Sequence, residues 1–369
     1  MRVAFLTWRD STHPDGGGSE VFVEQVARGL VSRGHHVTIV CARHPGSTAA
    51  ADLDGVRLVR MGGRLTVYPR GLLWLARRGR RVDVVVDVIN GLPFGTPLVR
   101  RRGIVALVHH VHQRQWQIIY PGLWGRVGWF VEHRLTPLLY RRRPHLTVSE
   151  ASRGDLAAIG IPASRTTVVR NGVATSPSPG ERARTPRICV LARLVPHKQI
   201  EHAFGALEQL RHELPDLHLD VVGDGWWREE LERDVDRRGL AGAVTLHGHV
   251  SDAERDRLLA EAWLMLLPSV KEGWGLAVLE AAVQGTPTVA YRYAGGPTES
   301  VVDGVTGLLA DDQPELVEQT RRLLSDRALR ERMGAAAAAR ASEFDWSVTT
   351  ASVERVLLEA ASEGQASSP

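Results

Sequence analysis

The sequence predicts an α/β protein of two domains, each built on a parallel β-sheet covered by helices. Short apolar, β-branched segments alternate with amphipathic helical segments along most of the 369 residues, which is typical of parallel sheets. A stretch rich in Pro, Ser and Gly at 173–185 divides this alternation into two series and reads as a linker. The length is also that of two domains. We therefore expect domains over 1–172 and 186–345.

The first domain is predicted to begin with a strand over Val3–Thr7, followed by a helix that ends near Ser32. Between them lies the Gly-rich loop Gly16–Glu20, in which Ser19 is the expected N-cap. Gly34 is expected to end the helix. The remaining strands of this domain are predicted at His36–Ala42, Val56–Arg60, Val82–Val88, Ile104–Val108, Leu146–Ser149 and Thr166–Val169.

Three features stand at the carboxyl ends of predicted strands, where parallel sheets bind their ligands. They are the Gly16–Glu20 loop, the His109-His110-Val111-His112 cluster and Asn171-Gly172. The histidine cluster is open to three interpretations. A zinc site has no cysteine or fourth ligand nearby, and histidines at a strand end also bond the backbone. The position of His109 favours contact with a substrate.

The segment over 114–143 is rich in Trp and Arg. Apolar residues that share one helical face are Leu123, Val127, Phe130, Val131 and Leu135. Such a helix suits a membrane interface. The alternative is a helix packed on the domain core, with its arginines on a solvated face.

The net charge of +4 conceals a difference between the two halves. Residues 1–185 contain 27 Arg and no Lys against 12 acidic residues, a net charge of +15, whereas residues 186–369 have a net charge of −11. The excess predicts an anionic partner for the first half, either a membrane surface or nucleic acid. A solvated, Arg-rich surface is the other explanation.

The second domain repeats the alternation and contains the most informative stretch of the chain, Leu266–Gly285. This stretch predicts a strand, a loop with Gly273 and Gly275, and a helix over Leu276–Gln284. The loop lets backbone approach a ligand, and the helix N-terminus favours an anion. Carboxylates before and on the helix, Glu272 and Glu280, suit hydroxyls at both ends of a phosphate-containing ligand such as a nucleotide sugar. Strands are predicted at Ile188–Ala192, Leu217–Gly223, Val244–His247, Trp263–Leu267 and Thr288–Ala290.

Several further expectations concern the ends of the chain and its compartment. A helical region from about Pro314 is predicted to break at Glu343–Trp346, before a last helix over 346–362 that returns to the first domain and a disordered tail over 363–369. Cys41 and Cys189 fall in predicted strands and are expected to be buried small hydrophobes. The lack of a disulfide framework, signal peptide or membrane-spanning run predicts a cytoplasmic protein.

Several motifs together resemble family 4 of the retaining glycosyltransferases. In the second half they are Arg193-Leu194-Val195-Pro196-His197-Lys198, Gly223-Asp224-Gly225, His247-Gly248-His249-Val250-Ser251, the pair Glu272 and Glu280, and Gly295-Gly296 followed by Glu299. In the first half they are Gly17-Gly18-Ser19-Glu20, His109 and Asn171-Gly172-Val173. The resemblance covers almost the whole chain. It implies the GT-B fold, in which two Rossmann-like domains with parallel sheets face each other across a cleft.

The resemblance also implies a role for each matched residue. Arg193 and Lys198 match the cations that bind the donor diphosphate; the second is one of only two lysines, with Lys271, among 46 basic residues. Glu272 matches the carboxylate on the donor sugar, and Glu280 the one on the ribose. The remaining matches are the backbone of Trp274, Gly275 and Leu276 around sugar and phosphate, backbone near His249 and Val250 at the base, Gly17 and Gly18 approaching the donor, and His109 on the transferred sugar. Trp274 replaces the usual Phe or Tyr, and His110 stands where a polar or acidic residue is usual.

The chemistry of glycosyl transfer agrees with these implied roles. Negative charge develops on the leaving diphosphate, and fixed cations with a helix N-terminus stabilise it without a metal. We read Asp52–Asp54 as a surface loop and Asp234–Asp236 as a helix face, so no metal site and no cofactor are predicted. The resemblance implies front-face substitution, in which the leaving phosphate oxygen helps to deprotonate the acceptor and no protein nucleophile is needed.

The expected function is transfer of a sugar, with retention, from a UDP- or GDP-linked donor to an acceptor hydroxyl. The acceptor is not specified; the basic first half favours an anionic or lipid-linked one and peripheral contact with the inner face of the membrane. Two alternatives stand beside it. One is a GT-B nucleotide-sugar epimerase or hydrolase, and the other is a non-enzymatic protein that binds nucleotide sugars or nucleic acid, although no nucleic-acid recognition motif is present.

Overall fold

A computed structural model describes residues 1–174 and 180–365, without the side chains of Arg80, Arg114 and 363–365. The chain divides into two compact units. The first comprises Met1–Gly172 with the C-terminal residues from Trp346, and the second comprises Val173–Asp345. Residues 175–179 of the predicted linker and 366–369 of the predicted tail lie outside the described residues.

The sheet of the first unit has eight strands in the order β3-β4-β2-β1-β5-β6-β7-β8. The strands are β1 (Arg2–Leu6), β2 (His36–Cys41), β3 (Ala50–Leu53), β4 (Val56–Arg60), β5 (Val84–Val88), β6 (Ile104–Leu107), β7 (His145–Thr147) and β8 (Thr166–Val168). All neighbours pair in parallel except β3, which forms an antiparallel hairpin with β4. The sequence did not predict β3, because its four residues alternate between exposed and half-buried positions at the sheet edge and lack β-branched side chains.

The helices of the first unit lie between its strands, as the alternation predicts. They are α1 (Gly18–Ser32), α2 (Val67–Arg78), α3 (Gln113–Ile119), α4 (Leu123–Phe130), α5 (Thr136–Tyr140) and α6 (Glu150–Ala158). A π-helical turn over Val131–Leu135 joins α4 to α5. The expected N-cap of α1 was wrong: Gly17, and not Ser19, precedes the helix, and its N–H donates to the Glu20 carboxylate over 2.8 Å.

The sheet of the second unit has six parallel strands in the order β11-β10-β9-β12-β13-β14. They are β9 (Arg187–Leu191), β10 (His218–Val222), β11 (Val244–Gly248), β12 (Leu264–Leu267), β13 (Thr288–Tyr291) and β14 (Gly307–Ala310). The last strand was not predicted, because four residues opened by a glycine give too little periodicity. Both faces of the sheet are buried: Ile188 of β9 packs in one apolar cluster, and its neighbour Cys189 in the other.

The helices of the second unit cover both faces of its sheet. They are α7 (Ile200–Leu210), α8 (Arg228–Arg237), α9 (Asp252–Glu261), α10 (Leu276–Val283), α11 (Pro297–Ser300), α12 (Gln313–Ser325) and α13 (Arg327–Ala341). Residues at the end of the predicted linker bond to this unit, since Ala183 donates its N–H to the Glu261 carbonyl over 3.1 Å.

The last helix, Trp346–Gln365, packs on α1 of the first unit and runs three residues beyond its predicted end. Contact is close enough that a Cβ on Gly29 would lie 2.3 Å from Oγ1 of Thr350. Thr349 donates its hydroxyl to the Arg170 carbonyl over 2.9 Å, and Leu357 is fully buried. The chain therefore crosses back to the first unit after Asp345. Among the described residues, no helix is both long enough and apolar enough to cross a bilayer.

Candidate functional site

The order of strands places two loops of the second unit side by side. The chain runs from β9 outward to β11 and then returns to pair β12 with the other edge of β9. The loops after β9 and β12 therefore flank the point where the strand order reverses, which is where open α/β sheets bind ligands. The Val270 N–H donates to the His197 carbonyl over 2.9 Å and ties the two loops together.

Two predicted site residues from these loops form an ion pair. Nζ of Lys198 lies 2.5 Å from Oε1 of Glu272, and the two side chains are 16% and 13% exposed. Partial burial weakens solvent screening, so this pair interacts more strongly than one at the surface. The second predicted cation, Arg193, is half-buried in the loop that follows β9. A cation and a carboxylate assigned to different parts of the donor thus lie together.

The loop before α10 adopts the backbone approach that its glycines predict. Gly275 caps the helix with φ of +89°, a conformation that favours glycine. A Cβ on Gly296 would lie 2.4 Å from the Gly273 carbonyl oxygen, so the 295–296 loop packs directly against this backbone. The Trp274 ring is buried, 5.4 Å from the Phe344 ring. The indole thus packs in the interior, where the family usually has Phe or Tyr. The role expected from the resemblance, contact of the backbone of Trp274, Gly275 and Leu276 with sugar and phosphate, does not depend on this ring.

Glu280 lies on α10 with a partner that the sequence analysis missed. Arg255 of α9 contacts its Oε1 over 3.1 Å. Burial raises the pKa of Glu280, and Arg255 opposes the rise. Arg255 also contacts Asp252 and Asp256, over 2.9 and 2.8 Å. Because α9 and α10 are separate in sequence, no local pattern signals this pairing.

The predicted base-binding segment follows β11. His249 is exposed and Val250 is half-buried. Nearby, the Gly223-Asp224-Gly225 motif packs on the loop after β9, since a Cβ on Gly223 would lie 2.1 Å from the Ala192 carbonyl oxygen. Gly225 shows the same restriction against the Leu194 carbonyl oxygen, at 2.2 Å. These glycines allow the loops after β9 and β10 to meet at the carboxyl edge of the sheet.

In the first unit, Gly17 and Gly18 lie at the N-terminus of α1 beside a buried charge pair. The Glu20 carboxylate accepts the Gly17 N–H, and its Oε1 lies 3.1 Å from Nε of Arg9. Both side chains of this pair are at most 5% exposed. Glu20, one of the matched motif residues, thus fixes both the glycine loop and an arginine that the sequence analysis did not select.

His109 is buried, and neither of its ring nitrogens has a hydrogen-bond partner among the described residues. Its ring meets the Phe22 ring edge-on, with centroids 5.3 Å apart. The Ser152 hydroxyl donates to its carbonyl over 2.8 Å and fixes its backbone. Burial lowers the pKa of His109 to about 4, so the imidazole is neutral at pH 7. A buried imidazole without partners is unusual in a structural role and suits a ligand contact.

The other two histidines of the cluster, His110 and His112, each lie within hydrogen-bond distance of another protein side chain. His110 lies 2.9 Å from the Gln115 side-chain oxygen, and Nδ1 of His112 lies 3.0 Å from the Glu132 carboxylate. The indole of Trp116 donates to the same carboxylate over 2.7 Å. Within residues 1–174 and 180–365, no group of three or more His, Cys, Asp or Glu side chains is arranged to hold a metal ion.

The two Asp-x-Asp strings lie in a hairpin of the first unit and on a helix of the second. The surface loop predicted for Asp52–Asp54 is wrong for Asp52, which lies on the edge strand β3, whereas Asp54 is in the hairpin turn with φ of +51°. Asp234 pairs with Arg237 and Arg238 on the face of α8, over 3.0 and 2.9 Å.

The Trp/Arg segment presents an apolar face to solvent. Its exposed apolar residues are Ile118, Leu123, Trp124, Val127, Phe130, Leu135 and Leu138. Trp124 is 74% exposed. Arg126 and Arg134 are exposed on the same helical segment. The alternative of a helix whose apolar face packs on the core is therefore wrong for most of these residues, although Val131 is half-buried.

Comparisons with known proteins agree on a single family. A model described as Glycosyl transferases group 1 matches residues 174–340, and one described as Glycosyltransferase Family 4 matches residues 16–177. The chain is 30% identical to MMP alpha-(1→4)-mannosyltransferase of Mycolicibacterium hassiacum, over 94% of this chain and 95% of that protein.

Two further comparisons differ in coverage and in what they show. Glycogen synthase of Mycobacterium tuberculosis is 32% identical over 62% of this chain, and the match spans only 57% of that protein. The crystal structure of Anabaena HepE, solved with UDP and glucose, covers 97% of this chain and 100% of HepE at a TM-score of 0.77 and 22% identity, which shows the shared GT-B fold. On these matches, the chain belongs to glycosyltransferase family 4.

Proposed function

We propose that the protein is a retaining glycosyltransferase that moves a sugar from a nucleoside diphosphate sugar to an acceptor hydroxyl. The observation that carries this proposal is the Lys198–Glu272 pair, held beside Gly275 and the N-terminus of α10. A cation, a carboxylate and a helix N-terminus at one place suit the phosphates and hydroxyls of such a donor. HepE, a structural neighbour, was solved with UDP and glucose.

In this proposal, Arg193 and Lys198 stabilise the leaving diphosphate. Negative charge grows on the β-phosphate as the glycosyl bond breaks, and preorganised cations act most strongly where charge develops. The helix N-terminus contributes in the same direction. Cations from the protein thereby supply the charge that a metal supplies in other transferases, so we propose a metal-independent reaction.

Two carboxylates orient the donor. Glu272 accepts hydroxyls of the transferred sugar and Glu280 accepts those of the ribose, with the base near the backbone of His249 and Val250. When donor binds, Lys198 exchanges its carboxylate partner for phosphate, and Glu272 exchanges its ammonium partner for sugar hydroxyls. The Lys198–Glu272 ion pair thus keeps both side chains satisfied until the donor arrives.

Retention is proposed to proceed by front-face substitution. The acceptor hydroxyl attacks from the side of the leaving phosphate, one of whose oxygens takes the proton, and the new glycosidic bond keeps the donor configuration. His109 is neutral at pH 7, which suits a hydrogen bond to the transferred sugar and not a fixed positive charge. The backbone of Gly17 and Gly18 is proposed to approach and contact the donor.

We further propose that the acceptor is anionic or lipid-linked and that the first unit contacts the membrane from the cytoplasmic side. Support comes from the net charge of +15 over residues 1–185, most of which belong to this unit, and from the exposed apolar face that includes Trp124 and Phe130. Basic residues attract anionic lipid, and apolar side chains enter the interface between headgroups and acyl chains.

A screen of nucleoside diphosphates and their sugars by thermal shift and calorimetry tests the donor proposal. We expect one UDP- or GDP-sugar to bind and to stabilise the protein. Lys198→Ala should lose most of this binding, and Arg327→Ala, which removes an exposed arginine of α13 in the same unit, should keep it. Failure of every nucleotide sugar to bind would contradict the proposal.

Incubation with donor alone separates the transferase from the epimerase or hydrolase alternative. A transferase without acceptor hydrolyses its donor slowly, whereas an epimerase or hydrolase turns over fully. A non-enzymatic binding protein leaves the donor intact at every protein concentration.

A further inference from the structure

A second cluster of charged and aromatic side chains lies in the first unit at the carboxyl edge of its sheet. Trp8 follows β1, Arg64 follows β4, and Tyr120 follows α3. The Arg64 guanidinium carbon lies 5.4 Å from the ring centroid of Trp8 and 5.4 Å from that of Tyr120. Both rings are half-buried, and Arg64 is exposed between them. The rings therefore hold a guanidinium in place while leaving it open to solvent.

A second guanidinium approaches the same indole. The Arg9 guanidinium carbon lies 4.3 Å from the Trp8 ring centroid. Arg9 is 4% exposed and has Glu20 as its countercharge, but its Nη1 has no hydrogen-bond partner among the described residues. Arg64 has neither a hydrogen bond nor an ion pair within the described part of the chain. Glu20 thus balances the charge of Arg9, whereas Arg64 brings a second positive charge to Trp8 without a carboxylate partner of its own among the described residues.

The hydroxyl of Tyr68 lies in the field of both cations. Burial raises the pKa of Tyr68, and Arg64 and Arg9 oppose the rise. The buried carboxylate that also acts on this hydroxyl, Asp87, is occupied by the hydroxyl of Tyr140 and by the Phe94 N–H, the latter over 3.1 Å. Asp87 is therefore committed to its own hydrogen bonds and does not pair with Arg64.

The geometry points to an anion-binding acceptor site: we propose that Arg64, placed by Trp8 and Tyr120, binds a phosphate group of a phosphorylated sugar or polyol. Guanidinium binds phosphate through two parallel N–H···O bonds. The flanking aromatic rings add apolar contact surface for a sugar ring. The ligand class is thus a ring with hydroxyls and one phosphate. This site rests on the proposed transferase function, since it would position the acceptor, but its binding reaction needs no donor.

The test measures binding of a hexose phosphate, the corresponding free hexose and inorganic phosphate to the full chain by calorimetry. We expect the hexose phosphate to bind more tightly than either fragment. Arg64→Ala should weaken this binding by about tenfold or more, as expected for loss of a hydrogen bond to a charged group. The affinity of Arg64→Lys for the hexose phosphate should lie between those of the wild type and Arg64→Ala, because an ammonium keeps the charge but loses the planar contact with two rings.

Two control variants separate this site from other cationic positions. Arg57→Ala removes an exposed arginine of β4 in the same unit and should bind the hexose phosphate like the wild type. Lys198→Ala removes the proposed diphosphate ligand of the second unit and should also keep binding. Loss of binding in Lys198→Ala with retention in Arg64→Ala would place the phosphate in the donor site and overturn the inference. Equal affinity for hexose and hexose phosphate, or no binding of any probe, would overturn it as well.

The outcome is independent of the donor proposal. Nucleotide-sugar binding that fails while Arg64-dependent phosphate binding succeeds would contradict the proposed reaction and leave an anion site in the first unit. The reverse result would leave the transferase intact and remove Arg64 from acceptor recognition.

Discussion

The ammonium nitrogen of Lys198 lies 2.5 Å from Oε1 of Glu272, although 74 positions separate the two residues in the chain. The two loops that supply them follow adjacent strands, β9 and β12, and a backbone hydrogen bond between Val270 and His197 joins those loops. Each side chain therefore competes with the donor for its partner. This relationship leads to opposite expectations for two variants.

Lys198→Ala and Arg193→Ala should each lower kcat/KM for donor turnover by orders of magnitude, because each removes a charge that stabilises the leaving diphosphate. Their free energies of unfolding should change little.

Glu272→Gln should keep or improve affinity for the bare nucleoside diphosphate, because it releases Lys198 from its ion pair, and should lose discrimination between donor sugars. Calorimetry with UDP, GDP and their sugars checks these expectations. Normal turnover in Lys198→Ala, or loss of bare nucleotide binding in Glu272→Gln, would contradict the assignment.

Glu280→Gln should weaken nucleotide binding by about 1.5–3 kcal/mol, because the ribose hydroxyls lose a charged acceptor. Arg255 keeps Asp252 and Asp256 in this variant, so no cation is stranded. If nucleotide affinity were unchanged in Glu280→Gln while Glu272→Gln lost it, the two roles would be reversed.

The same substitution should alter how stability depends on pH. The folded protein raises the pKa of Glu280 above its ordinary value of 4.5, so the folded state holds this proton more tightly than the unfolded state. The corresponding stabilisation is present below pH 4.5 and is lost as pH rises through the folded pKa. Glu280→Gln should not show this loss. Denaturant unfolding at a series of pH values checks it, and parallel curves for the two proteins would contradict the raised pKa.

His109→Asn should lower donor turnover without weakening the binding of UDP or GDP, because His109 is proposed to contact the transferred sugar.

The pKa of His109 is about 4 in the folded protein and 6.5 ordinarily. Its contribution to stability is present above pH 6.5 and is lost as pH falls from 6.5 towards 4, by about 2 kcal/mol at pH 5. Denaturant unfolding at pH 7.5 and pH 5 should show a smaller loss in His109→Asn. An equal loss in both proteins would place the titration elsewhere.

Much of this architecture follows from local sequence, and the exceptions have physical causes. The apolar strands are predictable because a sheet buried on both faces favours continuous apolar runs rich in β-branched residues, as in β5 and β9. The stretch over Leu276–Val283 begins where predicted, because Gly275 adopts a positive φ that few other residues tolerate. The edge strand β3 has no such signal.

Pairings between distant side chains were beyond the sequence. Arg255 meets Glu280 only because α9 packs beside α10, and Arg9 meets Glu20 only because the loop after β1 folds over the start of α1. The sequence contains 44 arginines, and nothing local marks Arg9 as one whose guanidinium is buried. The resemblance supplied Lys198 and Glu272 separately, and the strand order brings them together.

Membrane contact by the exposed apolar face should be visible as sedimentation with phosphatidylglycerol vesicles at low salt. High salt should reduce it, because the Debye length falls from about 10 Å at 0.1 M to about 3 Å at 1 M. A double variant, Trp124→Ser with Phe130→Ser, should bind less at both salt concentrations, since apolar area is lost. Trp226→Ser is the matched control, because Trp226 is also exposed, at 56%, but lies in the second unit. Equal binding to neutral vesicles would contradict the contribution of the basic residues, and no binding to anionic vesicles at low salt would favour a soluble acceptor.

The most direct test of the proposed reaction follows donor cleavage by real-time proton NMR, with the UDP- or GDP-sugar that binds best. We predict that the anomeric proton of the released or transferred sugar appears first in the configuration of the α-linked donor, in the presence of a metal chelator. The signal should be abolished in Lys198→Ala and present in Arg327→Ala. First appearance of the inverted anomer, or cleavage that stops when the chelator is added, would contradict a metal-independent retaining glycosyltransferase.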